Sequence, residues 1–145
     1  EPDLEQGMFD QWALRGISEE LIVAVRVLAH WLSFGPPLML AAVPASALVG
    51  IDADKLRIVE LGLLAGTPGL AALGVMVAAL TAGLRGGAAL GGLLVIPLAI
   101  PLLVFGAGSL AIGGESGIAL TAAFSLVLLA ITPFAAGAAI RSARG

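Results

Sequence analysis

Cysteine is absent from this chain of 145 residues, which excludes disulfides, thiolate metal sites, iron–sulfur clusters and covalent C-x-x-C-H haem attachment. The only lysine, Lys55, follows Ala53 and Asp54 and not the glycine of a phosphate-binding loop. The sequence also lacks a Ser/His/Asp set, an H-E-x-x-H motif and a cluster of metal ligands. The chain is therefore expected to be no enzyme by itself and to neither bind nor hydrolyse ATP.

Charge is scarce as well: charged residues make up 12% of the chain, hydrophobic residues make up 59%, and glycines number 20. A soluble domain of this length cannot bury so much apolar surface, because its exterior must be largely polar or charged. The seven basic and ten acidic residues provide no basic stripe for nucleic acid. The composition excludes a soluble globular enzyme, a disordered tail and a nucleic-acid binder, and it predicts a membrane protein.

Four uncharged stretches follow a polar N-terminal segment. Each exceeds the roughly 20 residues that a helix needs to cross the hydrocarbon of a bilayer. The stretches are continuously apolar, whereas barrel strands alternate. The sequence predicts an all-α polytopic bundle: a cytoplasmic amphipathic segment over residues 1–20, then a transmembrane bundle over residues 21–145 with spans near 27–51, 58–84, 88–113 and 117–140.

Basic residues are distributed unequally between the two sides of this bundle. One side holds Arg15, Arg26, Arg85, Arg141 and Arg144, and the other holds Lys55 and Arg57. Cytoplasmic loops carry the excess of Lys and Arg in membrane proteins. We therefore expect both termini to be cytoplasmic.

Prolines lie within or beside the predicted spans, and each removes a helix hydrogen bond and tends to kink the helix. Membrane helices tolerate proline, so these residues fit either a purely structural role or a role in bending the helices for gating. The candidate hinge or packing residues are Pro36, Pro37, Gly66, Pro68, Pro97 and Pro101.

The N-terminal segment combines acids with large apolar side chains that fall on or beside one helical face. It is either an interfacial helix anchored by its aromatic residues or a docking element for a cytoplasmic partner. An interfacial helix favours Lys and Arg on its polar face, and none precedes Arg15. The candidate docking residues are Asp3, Glu5, Gly7, Met8, Phe9, Asp10 and Trp12.

His30 is the single histidine and lies one turn beyond Arg26 in the first span. Ionisable residues inside a membrane are functional candidates by default, and imidazole is a haem ligand. The position near the interface lets imidazole and Trp31 reach water or headgroups. We therefore expect a structural hydrogen-bonding role for His30 more than contact with haem or a metal.

Several motifs are similar, in order and spacing, to those of one family. Residues 2–11 resemble its acidic loop, and residues 29–32, followed by Gly35 and Pro37, resemble the start of its third helix. Further similar segments are residues 66–68, 79–85, 97–105, 133–134 and 138–141. By these motifs the chain resembles the CcmB family, the membrane permease of the cytochrome c maturation ABC system.

The resemblance implies an ABC-2-type permease-like fold in the bacterial inner membrane, holding helices three to six of six, with the first two before Glu1. It implies that residues 3–17 belong to the cytoplasmic loop that meets the ATP-binding subunit, which favours docking over anchoring. The implied partners are that subunit, other cytochrome c maturation membrane subunits, the haem chaperone and the lipid bilayer. Haem would be a handled ligand, and this chain alone would bind no cofactor.

The implied function is to couple ATP hydrolysis by a partner to haem export or to release of the haem-loaded chaperone. Gln6 stands where the family usually has an acid, and Met8 replaces a common serine. Two alternatives remain open: an ABC-2-type exporter permease for another substrate, and a membrane scaffold that transports nothing.

Overall fold

A computed structural model describes residues 16–82, 84, 86–111 and 115–144. The described residues form four helices: α1 (Glu19–Val49), α2 (Ala53–Thr81), α3 (Gly87–Gly108) and α4 (Glu115–Arg144). All four are long and apolar enough to cross a membrane by length and composition. The predicted all-α polytopic bundle is confirmed for this part of the chain, which contains no strand.

Local capping residues explain where the helices begin and end. The Ser18 side chain accepts a hydrogen bond from the Leu21 N–H, and Asp52 accepts one from the Lys55 N–H at 2.8 Å. Gly50 ends α1 with φ at 75°, in the left-handed region that favours glycine. Because Ser18 satisfies an orphan amide, α1 begins at Glu19, well before the uncharged stretch over residues 27–51.

The helices are arranged around a central pair, α2 and α4, which run parallel to each other, with α1 and α3 packed beside them. Both α1 and α3 contact α2 as well as α4. Helix α1 runs unbroken through Pro36, Pro37 and Pro44, and α2 runs unbroken through Pro68. We call the end where α1 begins and α4 finishes the Arg141 end, and the opposite end the Lys55 end.

Small residues lie in the buried core beside Val, Leu and Ile side chains. Ala71 and Ala72 of α2 and Ala136 of α4 are fully buried, as is the larger Leu73. Large side chains such as Leu40, Leu93 and Phe134 point outward instead. Lipid tails are as apolar as leucine, so burial of large hydrophobic residues does not drive packing in a membrane, and small residues let backbones approach closely.

Candidate functional site

The predicted docking residues all fall outside the described residues. They are Asp3, Glu5, Gly7, Met8, Phe9, Asp10 and Trp12, and their role stays a prediction. What the structure does describe is the point to which that segment is attached, namely Gly16 and the start of α1.

An ion-pair cluster holds the start of α1 against the end of α4. The Arg141 Nη1 donates to Glu20 Oε1 at 2.6 Å and to Glu19 Oε2 at 3.1 Å. The acids also lie in the first turn of α1 and the arginine in the last turns of α4, so each charge is favourable to its own helix dipole. The cluster therefore joins the start of α1 to the end of α4.

His30 is exposed and lies two turns after the buried Val23, so the two residues share one face of α1. Its ring packs edge-on against Phe34, with the centroids 5.4 Å apart. A Cβ built on Gly74 of α2 would come within 3.5 Å of His30 Nε2. The imidazole thus lies over the α1–α2 contact, and both the structural role and haem contact stay predictions.

A polar contact joins α1 to α2 at the middle of the bundle. The Trp31 indole N–H donates to Thr67 Oγ1 at 2.9 Å, and the Thr67 hydroxyl donates to the Leu63 carbonyl at 2.7 Å. A Cβ on Gly35 would lie only 2.6 Å from Trp31 Nε1. Glycine at position 35 therefore gives the indole the room it needs to lie along α1 and reach α2.

The seam between α2 and α4 is formed by glycines on one helix and hydroxyl residues on the other. A Cβ on Gly66 would lie 3.2 Å from Thr121 Cγ2, and a Cβ on Gly69 would lie 2.7 Å from Ser125 Oγ. One turn further along α2, the Ala72 carbonyl oxygen lies 3.3 Å from the hydroxyl oxygen of Thr132 on α4. Gly66, a candidate packing residue, is thus buried in the contact between α2 and α4.

The candidate hinge prolines have different surroundings. Pro36 and Pro68 are half-buried on either side of the Trp31–Thr67 contact, while Pro37 is exposed. Pro97 is exposed and Pro101 is half-buried, one turn apart in α3. Since proline lacks an N–H, Pro97 and Pro101 leave the carbonyls of residues 93 and 97 without their helical donors. The hinge role stays a prediction.

Sequence reasoning missed three of these contacts: the Arg141 ion-pair cluster, the Trp31–Thr67 hydrogen bond and the Thr132–Ala72 approach. The partners are separated by 122, 36 and 60 residues, so no local spacing signals them. Two buried side-chain oxygens, Glu60 Oε1 and Ser125 Oγ, have no hydrogen-bond partner among the described residues. The described part of the chain also contains no group of three His, Cys, Asp or Glu side chains that could hold a metal.

Comparison with known proteins connects this arrangement to one family. The family model described as "CcmB protein" matches residues 1–143. The proteins named "Heme exporter protein B" from Rhodobacter capsulatus and Paracoccus denitrificans are 40% and 41% identical to the chain over 144 residues, covering 96% of it. The protein of that name from Pseudomonas aeruginosa is 36% identical over 148 residues, covering 99%. The chain spans 66% of the length of each of these relatives. With four helices long enough to cross a bilayer, it is a multi-pass membrane protein.

Proposed function

The chain belongs to the CcmB family, and we propose from this that it is the permease part of an ABC transporter in cytochrome c maturation. In this role it couples ATP hydrolysis by a partner subunit to haem export or to release of a haem-loaded chaperone. The single observation that carries the proposal is the match of the family over residues 1–143. Haem is then a ligand that the transporter exports or passes on, and it is not a resident cofactor.

The N-terminal segment is the proposed contact with the ATP-binding subunit. It carries the acids Asp3, Glu5 and Asp10 together with Met8, Phe9 and Trp12. Buried aromatic anchors supply most of the energy of a protein interface, and charges set register and encounter. The segment continues into α1 through Gly16, so force on it reaches the Arg141 ion-pair cluster directly.

The described contacts support a route for that force. The Arg141 ion-pair cluster joins α1 to α4, the Trp31–Thr67 hydrogen bond joins α1 to α2, and the glycine seam joins α2 to α4. These three helices therefore move as one unit. Helix α3 bends relative to them at Pro97 and Pro101, in the manner of hinge motion between packed elements.

The remaining parts of the proposal concern location. The charge asymmetry supports an inner-membrane topology with both termini cytoplasmic and Lys55 on the opposite side. The other cytochrome c maturation membrane subunits and the haem chaperone are the proposed partners on or within the membrane. Labelling single introduced cysteines at positions 55 and 144 from opposite sides of sealed cells checks this topology, since the chain has no cysteine of its own.

The functional test is carried out in cells that produce the full-length protein with its ATP-binding subunit. Asp3→Lys combined with Glu5→Lys, or Trp12→Ala alone, should weaken co-purification of that subunit by about thirtyfold, the effect of losing a hot spot of roughly 2 kcal/mol. Holo-cytochrome c, measured by haem staining, should fall in parallel, and the permease should stay in the membrane. Asp54→Lys, at the opposite end, is the matched control and should change neither measurement.

Two outcomes would contradict parts of the proposal. Loss of the ATP-binding subunit with normal holo-cytochrome c would indicate an exporter permease for another substrate. Normal association of that subunit and normal holo-cytochrome c in both variants would reject the docking role of the segment.

A further inference from the structure

A groove runs along the outside of the bundle between α2 and α3, in the half nearest the Lys55 end. It has a volume of about 320 Å³, and residues of α2, α3 and Thr121 of α4 form its walls. We name it the α2–α3 groove and define it by Val59, Gly62 and Gly66 of α2 and by Leu103, Gly106 and Leu110 on the α3 side.

Glycines leave space between α2 and α3 near both ends, and a second cavity, of about 330 Å³, lies between the two helices at the Arg141 end. At the Arg141 end, the backbone of Gly87 packs against the carbonyl of Thr81, and a Cβ on Gly91 would lie 3.4 Å from Thr81 Oγ1. Toward the Lys55 end, glycines take the place of side chains. A Cβ on Gly106 would meet nothing within 4 Å, so the space beside this residue is open.

The hydroxyl groups in the walls are already satisfied within their own helices. Thr67 donates to the Leu63 carbonyl, Ser109 to the Gly106 carbonyl and Thr121 to the Gly117 carbonyl, at 2.7, 2.6 and 2.8 Å. The groove therefore offers an apolar surface and no free donor. The described lining also holds no His, Met or Cys that could ligate haem iron. This chemistry suits a hydrocarbon chain.

A basic side chain lies at the end of the groove where a lipid headgroup would be. Lys55 precedes Val59 by four residues and Gly62 by seven, so it falls on the same stripe of α2. The side chain of Lys55 is 68% exposed, and its Nζ lies 3.6 Å from Asp52 Oδ2 at the start of α2. A lysine near a helix end extends its ammonium group to the level of the headgroups.

From these observations we propose that the α2–α3 groove binds one acyl chain of a membrane phospholipid, with Lys55 contacting the phosphate. The lipid fills the space between α2 and the C-terminal half of α3. The inference requires only that the bundle lies in a bilayer, so it does not depend on the proposed role in cytochrome c maturation.

The test uses the full-length protein in nanodiscs that contain phosphatidylethanolamine, phosphatidylglycerol and a trace of phospholipid with a photoactivatable group on one acyl chain. Peptides covering residues 59–70 and 102–110 should be the main sites of cross-linking. Gly106→Leu should reduce this cross-linking about tenfold or more, because the new side chain takes the place of several buried methylene groups. Gly108→Leu is the matched control: position 108 is equally open but outside the described lining, and cross-linking should persist.

A second measurement addresses the phosphate contact. Native mass spectrometry of the purified protein should show retained phospholipid for the unaltered chain and for Gly108→Leu, and severalfold less for Gly106→Leu and for Lys55→Gln. Equal retention in all four proteins would overturn the proposal. It would also be overturned by a disulfide-linked dimer of Gly106→Cys formed through the groove, or by a haem absorption band that Gly106→Leu abolishes.

Discussion

Helices α2 and α3 show two different ways of using an apolar sequence. Helix α3 is the more hydrophobic of the two, yet it lies at the side of the bundle, with Leu93, Ile96 and Leu103 exposed. Helix α2 contains a lysine, an arginine and two acids, yet it contacts all three of the other helices. In a bilayer, therefore, hydrophobicity alone does not decide which helix lies at the centre of a bundle.

The same contrast applies to how the two helices are held. Helix α2 makes hydrogen bonds or close glycine contacts with α1 and α4 through Thr67, Gly66 and Gly69. Helix α3 carries Pro97 and Pro101, and the α2–α3 groove separates its C-terminal half from α2. Helix α3 nevertheless contacts both α2 and α4, so its proposed movement depends on its two prolines and on the groove.

The largest expected effect comes from overpacking the α2–α4 seam. Gly69→Leu should lower the free energy of unfolding by about 3 kcal/mol, the upper part of the usual cost of overpacking, because Ser125 lies within 2.7 Å of the new Cβ. Equilibrium unfolding in mixed micelles measures this change. If Gly69→Leu destabilised the protein no more than leucine at the open position 92 of α3, the difference in packing between α2 and α3 would be contradicted.

A smaller effect is expected at the α1–α2 contact. Trp31→Phe keeps an aromatic ring but removes the indole N–H that donates to Thr67, and should cost about 1 kcal/mol. In the Thr67→Val background the same substitution should cost much less, because the acceptor is already absent. A double-mutant cycle in the same micelles tests this, and a coupling energy of zero would show that the hydrogen bond does not hold α1 to α2.

The start of α2 should respond to pH. The Asp52 carboxylate accepts a hydrogen bond from the Lys55 backbone N–H, and this bond holds the pKa of Asp52 below its ordinary value. A lowered pKa in the folded state stabilises the protein at pH values above the pKa in the unfolded chain, and this contribution is lost as the pH falls through the folded-state pKa. Asp52→Ala should therefore lower the melting temperature by a few degrees at neutral pH, and the difference should shrink in strongly acidic solution. A difference that does not change with pH would mean that the capping carboxylate is not responsible.

The smallest effect is expected in α3. A Cβ on Gly92 would meet nothing within 4 Å, so Gly92→Leu should change the free energy of unfolding by less than about 0.5 kcal/mol. The measurement is the one used for Gly69→Leu, so the two helices are compared by the same substitution. A large loss of stability here would mean that α3 is packed as tightly as α2.

The sequence predicted the helices well and their neighbours poorly. Long uncharged runs are enough to identify spans, because only a satisfied backbone crosses a bilayer. Which helices contact each other was not predictable, since glycines occur throughout the chain and only those that face another helix allow close packing. Arg141 and Glu20 lie at opposite ends of the sequence, and the contact between them arises from the fold alone.

The central claim is that α1, α2 and α4 work as one unit and that α3 moves against it. Two cysteine pairs at similar depth test this in cells: Gly66→Cys with Thr121→Cys joins α2 to α4, and Gly62→Cys with Ser109→Cys joins α2 to the end of α3. A Cβ built on Gly66 would lie 3.2 Å from Thr121 Cγ2, and one built on Gly62 would lie 3.6 Å from Ser109 Oγ, approaches that are compatible with disulfide geometry. We expect normal holo-cytochrome c with the first bridge and its loss with the second, each compared with the corresponding single-cysteine variants. Normal holo-cytochrome c with a fully formed α2–α3 bridge would contradict the account.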